Sequence, residues 1–377
     1  MNACSDAAMH WHGSRLHQIS STRVELDGKE FTFFGGTNYL GLSFHPVIIG
    51  ALKAGLDATG LGLGTSRTTT GTSPEIEDLE RLTAAFCGTE DAIVTTSGML
   101  SNIAVLEGLS GLVGTWLADE ASHHSFRQFV PVGGAPLITY RHCDVTDFRR
   151  KLDLIGEEKI GVFTDCVFPL TGRVAPLQDI VGSLDHRNHI LVADEAHSIG
   201  VLGDHGRGLL DALGVRGGHI IRTATLSKAL GCMGGLILGS MSLLDRIRST
   251  ASAYSATSAL APALCRAAIA ALSVLADDEQ RLRRLRENCN LMSAQLTSVP
   301  LAKRGPTAPI FCLESGPNRD PGRIHLRCKE KDIFVPLITD YPGTDSKGLL
   351  RWIVQADHEA DEIESLCSIL RSELGVR

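Results

Sequence analysis

Short apolar segments alternate with helical segments through the first two thirds of this chain, and this alternation is the feature that most limits its fold. Segments typical of strands run from Ala92 to Thr96, Thr115 to Asp119, Ile160 to Asp165 and Ile190 to Asp194. Strands separated by helices usually pair in parallel, and a parallel sheet is covered on both faces. The pattern therefore predicts an α/β protein with a mainly parallel sheet flanked by helices.

The pattern changes after Ser258. The residues from Pro262 to about Ser298 predict one long helical segment that is partly charged. Short strands are expected near 309–312, 333–336 and 350–354, and a final helix from about Glu359. This change indicates that the chain does not continue the first sheet to its end.

We therefore expect three parts. A chain of 377 residues is long enough for two domains. The expected parts are an N-terminal segment (1–40), a large domain (41–274) and a smaller C-terminal α+β domain (275–377).

Charge and composition argue against several classes of protein. The formal net charge is −7 and no basic run occurs, so we expect no electrostatic attraction to nucleic acid or to an anionic membrane. No run of 18 apolar residues predicts a membrane span, and the first twenty residues lack the apolar centre of a signal peptide. The ten cysteines form no C-x-x-C pair, which indicates reduced thiols in the cytoplasm rather than a zinc site or disulfides.

The first twenty residues also contain His10, His12 and His17. Three histidines could indicate a metal site, but a polar tail is the simpler interpretation of this composition. We expect no metal.

One lysine, Lys228, stands among small residues and glycines in the stretch from Thr225 to Gly231 (TLSKALG). Such a lysine can lie close to other main chain and form a Schiff base with a carbonyl cofactor, although an isolated lysine is more often a solvated surface charge. Upstream, the apolar run from Ile190 ends in Asp194. An aspartate at the end of a parallel strand and a lysine on a later loop form the pair that pyridoxal phosphate needs.

Three stretches resemble motifs of the α-oxoamine synthases. They are Asp194 to His197 (DEAH), Gly203 to Gly208 (GDHGRG) and Thr225 to Gly231. These pyridoxal-phosphate enzymes have the aspartate-aminotransferase-like fold (fold type I) and include 8-amino-7-oxononanoate synthase, 2-amino-3-ketobutyrate CoA ligase, serine palmitoyltransferase and 5-aminolevulinate synthase. The resemblance runs from about Asn38 to about His358 and does not distinguish among the members.

The turn that begins at Ser97 leads from a strand into a helix and carries Gly98 and Met99. Free N–H groups at a helix N-terminus bind anions, so this turn is a candidate site for the cofactor phosphate. On local sequence alone, an ordinary helix start capped by Ser97 is the alternative. Relatives usually carry an aromatic residue in place of Met99. We expect Thr225 to be a further phosphate ligand and leave Ser227 open.

The resemblance also implies the catalytic set. Lys228 would hold the cofactor and, once released, act as the base for the Cα proton. Asp194 would lie against the pyridine nitrogen, where an ion pair at about 4 Å and an effective dielectric of about 20 contributes on the order of 4 kcal/mol. His197 would bind the phenolic oxygen, and His123 would stack on the ring. His124 is the alternative if the register differs by one residue.

Substrate recognition rests on fewer signals. Arg351 stands seven residues before His358, which matches the family arginine that binds the amino-acid carboxylate, although a surface ion pair is the alternative. The family often has asparagine where Thr37 stands, and Asn38 is the neighbour that could replace it.

Two further positions depart from the family pattern. Relatives commonly carry serine at the position of Pro169 and an acid at that of Arg173. Proline lacks both a hydroxyl group and an N–H donor, so this chain has altered a contact that the serine would make.

The resemblance implies a homodimer with a shared active site. The Gly- and Thr-rich loop from Gly60 to Gly71 is expected near the subunit interface, because a long loop inside a compact domain is usually functional. Ser258, or alternatively Thr257, is expected to reach the cofactor phosphate of the neighbouring subunit.

The function implied is the decarboxylative condensation of a small amino acid with an acyl-CoA, which gives an α-amino ketone and releases CoA and CO2. Another reaction on the same fold, such as transamination, β-elimination or racemisation, is the first alternative. A non-catalytic subunit of a heteromeric synthase is the second, and it is disfavoured because Lys228, Asp194, His197 and His123 are all present. The sequence leaves open which amino acid is used and whether the acyl group comes from CoA or a carrier protein.

Overall fold

The computed structural model describes most of the chain. The described residues are 15–156, 158–302, 304–305, 308–339 and 348–376. Of the three N-terminal histidines, His10 and His12 lie outside the described residues, and His17 begins the first strand.

The strands are short and are numbered in chain order. They are β1 (His17–Gln18), β2 (Arg23–Leu26), β3 (Lys29–Phe33), β4 (Asp91–Thr95), β5 (Thr115–Asp119), β6 (Leu137–Tyr140), β7 (Ile160–Asp165), β8 (His189–Asp194), β9 (Ile220–Thr225), β10 (Gly235–Gly239), β11 (Ile310–Glu314), β12 (Ile333–Phe334), β13 (Leu337–Ile338) and β14 (Leu349–Ile353).

The α-helices separate most of these strands. They are α1 (Pro46–Thr59), α2 (Pro74–Cys87), α3 (Gly98–Gly108), α4 (His124–Arg127), α5 (Val145–Leu152), α6 (Leu177–Gly182), α7 (Leu209–Ala212), α8 (Met241–Thr250), α9 (Ser252–Ser255), α10 (Pro262–Asp277), α11 (Glu279–Gln295), α12 (Pro321–Glu330) and α13 (Ala360–Leu374). Short 3-10 helices cover Leu42–Phe44, Val130–Gly133 and Asp204–Gly206.

A seven-stranded sheet with the order β4-β10-β9-β8-β7-β5-β6 is the centre of the fold. The strands from β9 to β6 pair in parallel, whereas β10 is antiparallel to both β4 and β9. All four strands expected from the sequence belong to this sheet. The prediction of a mainly parallel α/β sheet is therefore confirmed.

Both faces of this sheet are buried. In β8, Ile190 and Val192 belong to one apolar cluster, while Leu191 and Ala193 belong to the other. Neighbouring residues of a strand point to opposite faces, so a strand buried on both sides must be apolar without interruption. This requirement accounts for the continuous apolar run before Asp194.

Two smaller sheets lie outside the central one. β11, β14 and β13 form a three-stranded antiparallel sheet that carries Arg351. The hairpin of β2 and β3 joins β1 and, through a parallel pair, β12. Strand β3 therefore pairs with a strand about 300 residues later, which no local sequence pattern indicates.

The segment after Pro262 is helical, as expected, but it consists of two helices. It is divided at Asp278, whose backbone is not helical (φ −104°, ψ 74°). The Asp278 side chain accepts a hydrogen bond from the main-chain N–H of Arg281 and so caps the second helix. Aspartate favours such N-cap positions because its side chain can satisfy a free N–H group.

A buried ion pair explains why glycine is needed at the end of the family-like stretch from Gly203 to Gly208. Glu195, which follows Asp194 directly, is fully buried and binds Arg222, with 2.5 Å between Oε2 and Nε. A Cβ atom at Gly208 would lie 2.4 Å from Oε1 of Glu195, so only glycine fits there. Removing one partner would leave a buried charge unpaired, which is strongly destabilising.

No helix in the described residues is long and apolar enough to cross a membrane. The nine cysteines in the same part of the chain all carry free thiols.

Candidate active site

A cavity of about 200 Å³ lies at the carboxyl edge of the central sheet, where β7, β8 and β9 end. Asp165 and Asp194 are paired residues at the ends of β7 and β8, and Thr225 ends β9. Ligands of open α/β sheets bind at this edge because the strands deliver their last side chains to it. The lining residues are Gly98, Met99, Asn102, His123, Ser125, Asp165, Asp194, Ala196, His197, Ala224, Thr225, Ser227 and Lys228.

Lys228 and His197, which the sequence identified, are in direct contact. The Nζ atom of Lys228 lies 2.8 Å from Nε2 of His197, and the hydroxyl oxygen of Tyr39 lies 2.6 Å from Nδ1 of the same ring. Sequence analysis did not single out Tyr39, which is fully buried. The imidazole is therefore held through both nitrogens, between a phenol and an amine.

Burial changes the pKa values in this trio. It lowers the pKa of Lys228 to about 8 and, together with the charge of Lys228, holds the pKa of His197 well below its usual range. Burial raises the pKa of Tyr39 to about 12, partly opposed by the charge of Arg351. A neutral imidazole donates through one nitrogen only, so a protonated Lys228 donates to Nε2 while Nδ1–H donates to Tyr39. The imidazole tautomer is thus coupled to the charge of the lysine.

Glycines set the position of the lysine loop. A Cβ atom at Gly231, where φ is +64°, would lie 2.2 Å from the main-chain nitrogen of Ser43. A Cβ atom at Gly200 would lie 2.4 Å from Cβ of Ala229. Only residues without side chains permit this approach, which is the packing that the small residues behind Lys228 indicated.

A chain of hydrogen bonds joins Asp194 to His123. Oδ1 of Asp194 accepts from the main-chain N–H of Ala196 at 2.9 Å, and Oδ2 accepts from Nδ2 of Asn102 at 3.0 Å. Nδ2 of Asn102 also lies 2.9 Å from Oγ of Ser125, which is 2.6 Å from Nδ1 of His123. Sequence analysis singled out neither Asn102, which lies in α3, nor Ser125, which lies in α4.

His123 is partly buried beside the carboxyl group of Asp165. Its main-chain N–H donates to Oδ2 of Asp165 at 2.9 Å, and burial lowers the pKa of its imidazole to about 4. The ring is therefore neutral at ordinary pH. His124 begins α4 with its ring centroid 4.3 Å from that of His123, but it does not line this cavity. The geometry favours His123 over His124 as the residue beside the cofactor.

Asp165 is the main titratable group of the cavity that the sequence did not reveal. Burial and the adjacent charge of Asp194 raise its pKa well above the usual range. The available signal was that Asp165, like Asp194, ends an apolar strand. Two carboxyl groups this close do not ionise together easily, so Asp165 is the one that retains a proton.

The turn at Ser97 is the capped helix start that the sequence allowed, and the phosphate site there stays a prediction. Oγ of Ser97 accepts from the main-chain N–H of Leu100 at 3.3 Å and caps α3. The N–H groups of Gly98 and Met99 belong to the first turn, where no helical partner exists, and both residues line the cavity. A Cβ atom at Gly98 would approach Cβ of Thr225 at 3.1 Å, so glycine keeps this helix end close to β9.

The hydroxyl groups of Thr225 and Ser227 lie 2.8 Å apart beside this helix end. Oγ1 of Thr225 also donates to the main-chain oxygen of Gly234 at 2.9 Å. The proton of Thr225 is thus already engaged, whereas Ser227 is exposed to the cavity.

Arg351 approaches the same region from the three-stranded sheet. Its Nε donates to the main-chain oxygen of Pro169 at 2.6 Å, and Nη1 donates to that of Gly36 at 3.3 Å. Gly36 precedes Thr37, which is half-buried. Arg351 is therefore bonded to the residue next to Thr37, although the two expected substrate-binding residues are more than 300 positions apart.

Three other residues that sequence analysis singled out do not offer a side chain to the cavity. The amide of Asn38 is bonded to Ser43, with 2.8 Å between Nδ2 and Oγ, so it does not replace the asparagine missing at Thr37. Pro169 offers a carbonyl oxygen to Arg351 in place of a side-chain contact. Arg173 is half-buried and does not line the cavity.

Ser258 is not brought into the cavity of its own subunit. It is exposed and pairs with Ser66 through an isolated bridge. Oγ1 of Thr257 donates to the main-chain oxygen of Ala253 at 2.8 Å, so its hydroxyl is engaged within its own subunit.

The sequence matches the aminotransferase class I and II family over residues 30–370. A putative 8-amino-7-oxononanoate synthase of Rippkaea orientalis is 32% identical over 368 residues, which cover 96% of this chain and 95% of the relative. The 8-amino-7-oxononanoate synthase of Nitrosomonas eutropha is 31% identical over 365 residues, covering 96% and 94% of the two chains.

Solved structures agree with these relatives. Serine palmitoyltransferase of Sphingomonas wittichii superposes with a TM-score of 0.88 at 25% identity, covering 95% of this chain and 92% of that chain. The 8-amino-7-oxononanoate synthase of Francisella tularensis shares the fold with a TM-score of 0.79 at 24% identity, covering 92% and 98%. The expected aspartate-aminotransferase-like fold is confirmed. With a family match of this extent and relatives above 30% identity, the chain belongs to the aminotransferase class I and II family, as a member of its α-oxoamine synthases.

Proposed function

We propose that this protein catalyses the pyridoxal-phosphate-dependent condensation of a small amino acid with an acyl-CoA, releasing CoA and CO2 and forming an α-amino ketone. The observation that supports the proposal most strongly is a single cavity with two contacts: the Lys228 amine is within hydrogen-bond distance of His197, and the Asp194 carboxylate accepts a hydrogen bond from Asn102. Relatives 31–32% identical along nearly the whole chain are named 8-amino-7-oxononanoate synthase or putative 8-amino-7-oxononanoate synthase, which supports this chemistry over others on the fold.

The residues present fit pyridoxal phosphate. The cavity of about 200 Å³ offers the amine of Lys228 for the carbonyl group and the N-terminus of α3 for the phosphate. Asp194 supplies a carboxylate for the ring nitrogen, and His123 supplies a flat, neutral ring. Thr225 and Ser227 add hydroxyl groups beside the phosphate position.

When bound, pyridoxal phosphate supplies an electron sink that stabilises negative charge on Cα of the amino acid. The chain contributes the proton transfers and the orientation. With its pKa near 8, Lys228 has an appreciable neutral fraction at neutral pH and can remove the Cα proton. Asp194 keeps a proton on the ring nitrogen, and His197, held by Tyr39, donates or accepts at the phenolic oxygen.

Arg351 and Thr37 are proposed to bind the carboxylate of the amino acid. The guanidinium group is fixed by two main-chain carbonyls, so it is oriented before the substrate arrives. Preorganisation of this kind reduces the entropy lost on binding.

We propose further that the protein is a cytoplasmic homodimer with shared active sites. Leu61 (89% exposed) and Met233 (56%) are large apolar residues on the surface, and Met99 (41%) is exposed at the cavity itself. A second copy would cover such residues and bring its Ser258 to the phosphate. The free thiols of the described cysteines suit a reducing compartment.

The experiment is a visible absorbance titration of the holoenzyme with glycine, alanine, serine and longer amino acids, followed by an acyl-CoA, with CoA release measured in parallel. We expect one amino acid to shift the cofactor band and the acyl-CoA to release CoA only in its presence. Lys228→Ala is the control: it lacks the base for the Cα proton and should release no CoA. Appearance of a keto acid without CoA release would identify an aminotransferase instead, and absence of any cofactor band would indicate a non-catalytic subunit.

A further inference from the structure

Asp119, His142 and Cys143 form a cluster of metal-ligand residues outside the cofactor cavity. One carboxylate oxygen, one ring nitrogen and the Sγ atom of these side chains lie within 4.8 Å of one another. Asp119 ends β5, whereas His142 and Cys143 follow β6, its parallel neighbour in the sheet. The sheet therefore brings together residues that stand 23 positions apart in the chain.

The carboxylate of Asp119 is buried and has no permanent positive partner. Oδ1 accepts from the main-chain N–H of Ala121 at 2.8 Å and lies 2.9 Å from Nδ1 of His142, and Oδ2 accepts from the main-chain N–H of Cys143 at 2.7 Å. Within the described ranges, no lysine or arginine forms an ion pair with it. A buried carboxylate is costly without a compensating charge, so a bound cation would stabilise this group.

Cys143 has a backbone conformation that cysteine rarely adopts. Its φ is +53°, in the left-handed region where asparagine, aspartate and histidine are enriched. The bond from its N–H to Asp119 holds this conformation, and Sγ lies 3.9 Å from Nε2 of His142. Burial and the charge of Asp119, partly opposed by Arg173, raise the pKa of the thiol to about 12. Such strain persists where the surroundings impose it, often at a functional site.

An ion can reach the cluster from solvent. The side chain of His142 is 22% exposed, and Cys143 is half-buried. His142 also lines a cavity of about 320 Å³ beyond the ends of β5 and β7. Its ring packs edge-on against Phe168, with ring centroids 4.3 Å apart, so the imidazole is held in place. The cluster thus combines fixed ligands with an open side on which water can complete the coordination.

We propose that Asp119, His142 and Cys143 bind one zinc ion, with water as the fourth ligand. Zinc binds carboxylate, imidazole and thiolate tetrahedrally at about 2.0–2.3 Å, which places two ligand atoms roughly 3.3–3.8 Å apart. Ligand atoms that are at most 4.8 Å apart reach this spacing by shifts of about 1 Å. Spacing along the chain predicted no metal, because these ligands become neighbours only in the sheet.

Zinc binding changes protonation but not oxidation state. The S–H bond of Cys143 breaks, its proton passes to water, and the sulfur donates an electron pair to the ion. A thiolate ligand selects softer ions, so a hard cation such as Mg²⁺ should bind poorly. The bound ion would join the end of β5 to the loop after β6.

The test measures zinc binding to the reduced holoenzyme in wild type, Cys143→Asn, His142→Asn and Cys232→Ser. Asparagine readily adopts the left-handed conformation, so Cys143→Asn removes the sulfur without straining the backbone. Titration calorimetry with zinc chloride should show one ion per subunit in wild type and no comparable binding of magnesium chloride. Affinity should fall at least about 100-fold in Cys143→Asn and His142→Asn, since even changes outside the ligands cost 10- to 100-fold. Cys232→Ser removes the other half-buried thiol and should bind zinc as wild type does.

Two further measurements locate the ion. Zinc X-ray absorption of wild type should show one sulfur neighbour at about 2.3 Å. Zinc should also raise the thermal midpoint of wild type but not that of Cys143→Asn, because only an ion bound to the folded state stabilises it. Absence of zinc binding in wild type, equal affinity in wild type and Cys143→Asn, or a spectrum without sulfur would each overturn the proposal.

Discussion

The cofactor cavity and a neighbouring cavity of about 320 Å³ beyond the ends of β5 and β7, the side cavity, share His123 but are built differently. In the cofactor cavity, Lys228 is held through His197, and Asp194 is held by two donors. In the side cavity, one imidazole is fixed, whereas Nε of Arg127 lacks a partner among the described residues. A site whose polar groups already hold one another is preorganised for chemistry.

The largest effects are expected when the two carboxyl groups of the cofactor cavity are replaced one at a time. Asp194→Asn should lower kcat by about 10²- to 10⁴-fold, the range typical of a lost proton-transfer partner. Asp165→Asn should lower it less than about tenfold, because a neutral amide replaces a carboxyl group that is already protonated and its oxygen can still accept from His123. The measurement is kcat together with the pH at which the cofactor band changes.

Asp165→Ala serves as the control for position 165, since it removes the acceptor for His123 as well as the proton. Asp165→Ala should bind the cofactor more weakly and have a lower kcat than Asp165→Asn. If Asp165→Asn were as damaging as Asp194→Asn, the two carboxyl groups would share the charge and the assignment of the proton to Asp165 would be wrong.

A smaller effect is expected where Tyr39 holds His197. Tyr39→Phe removes the contact at Nδ1 without changing the shape of the ring, and a hydrogen bond contributes about 1 kcal/mol, or five- to tenfold in rate. The pH at the midpoint of the change in the cofactor absorbance band should also shift, because the tautomer of His197 is no longer fixed. An unchanged midpoint would mean that Lys228 alone sets the tautomer.

In the side cavity the fixed imidazole should matter only for the acyl donor. His142→Asn removes the contact with Phe168 and alters the wall, so we expect KM for acyl-CoA to rise by roughly threefold to tenfold. The KM for the amino acid and the cofactor spectrum should not change. A weakened cofactor band would show that the two cavities are not separable.

The smallest effect concerns acid stability of the cofactor-free protein. The pKa of His123 is about 4 when folded and near 6.5 when unfolded, so the unfolded chain binds the extra proton between these values. The free energy of unfolding should therefore fall as pH is lowered from about 6.5 to 4, by at most about 3 kcal/mol from this residue. His123→Phe should make the denaturant midpoint less dependent on pH in that window. If the denaturant midpoint of wild type and of His123→Phe depended equally on pH, the low pKa of His123 would be contradicted.

Much of the fold could be predicted from the sequence because its signals are local. The apolar run before Asp194 is continuous since β8 is buried on both faces, and Lys228 stands among small residues since its loop packs on other main chain. The segment expected to be helical after Pro262 is helical, but its division at Asp278 was not predicted, because one aspartate can cap a new helix without interrupting the apolar pattern. The N-terminal strands gave no indication of their partner β12, since pairing over such a distance leaves no local pattern.

The sequence by itself determined the chemistry available: an amine, a carboxylate at a strand end, imidazoles and a helix start that can bind an anion. Only the tertiary structure decided which neighbours tune these groups. Tyr39 reaches His197, Asn102 joins Asp194 to Ser125, and Asp165 lies beside Asp194 because strands distant in sequence are adjacent in the sheet. A pKa depends on burial and on charges a few ångströms away, and neither is a property of the residue's own stretch of chain.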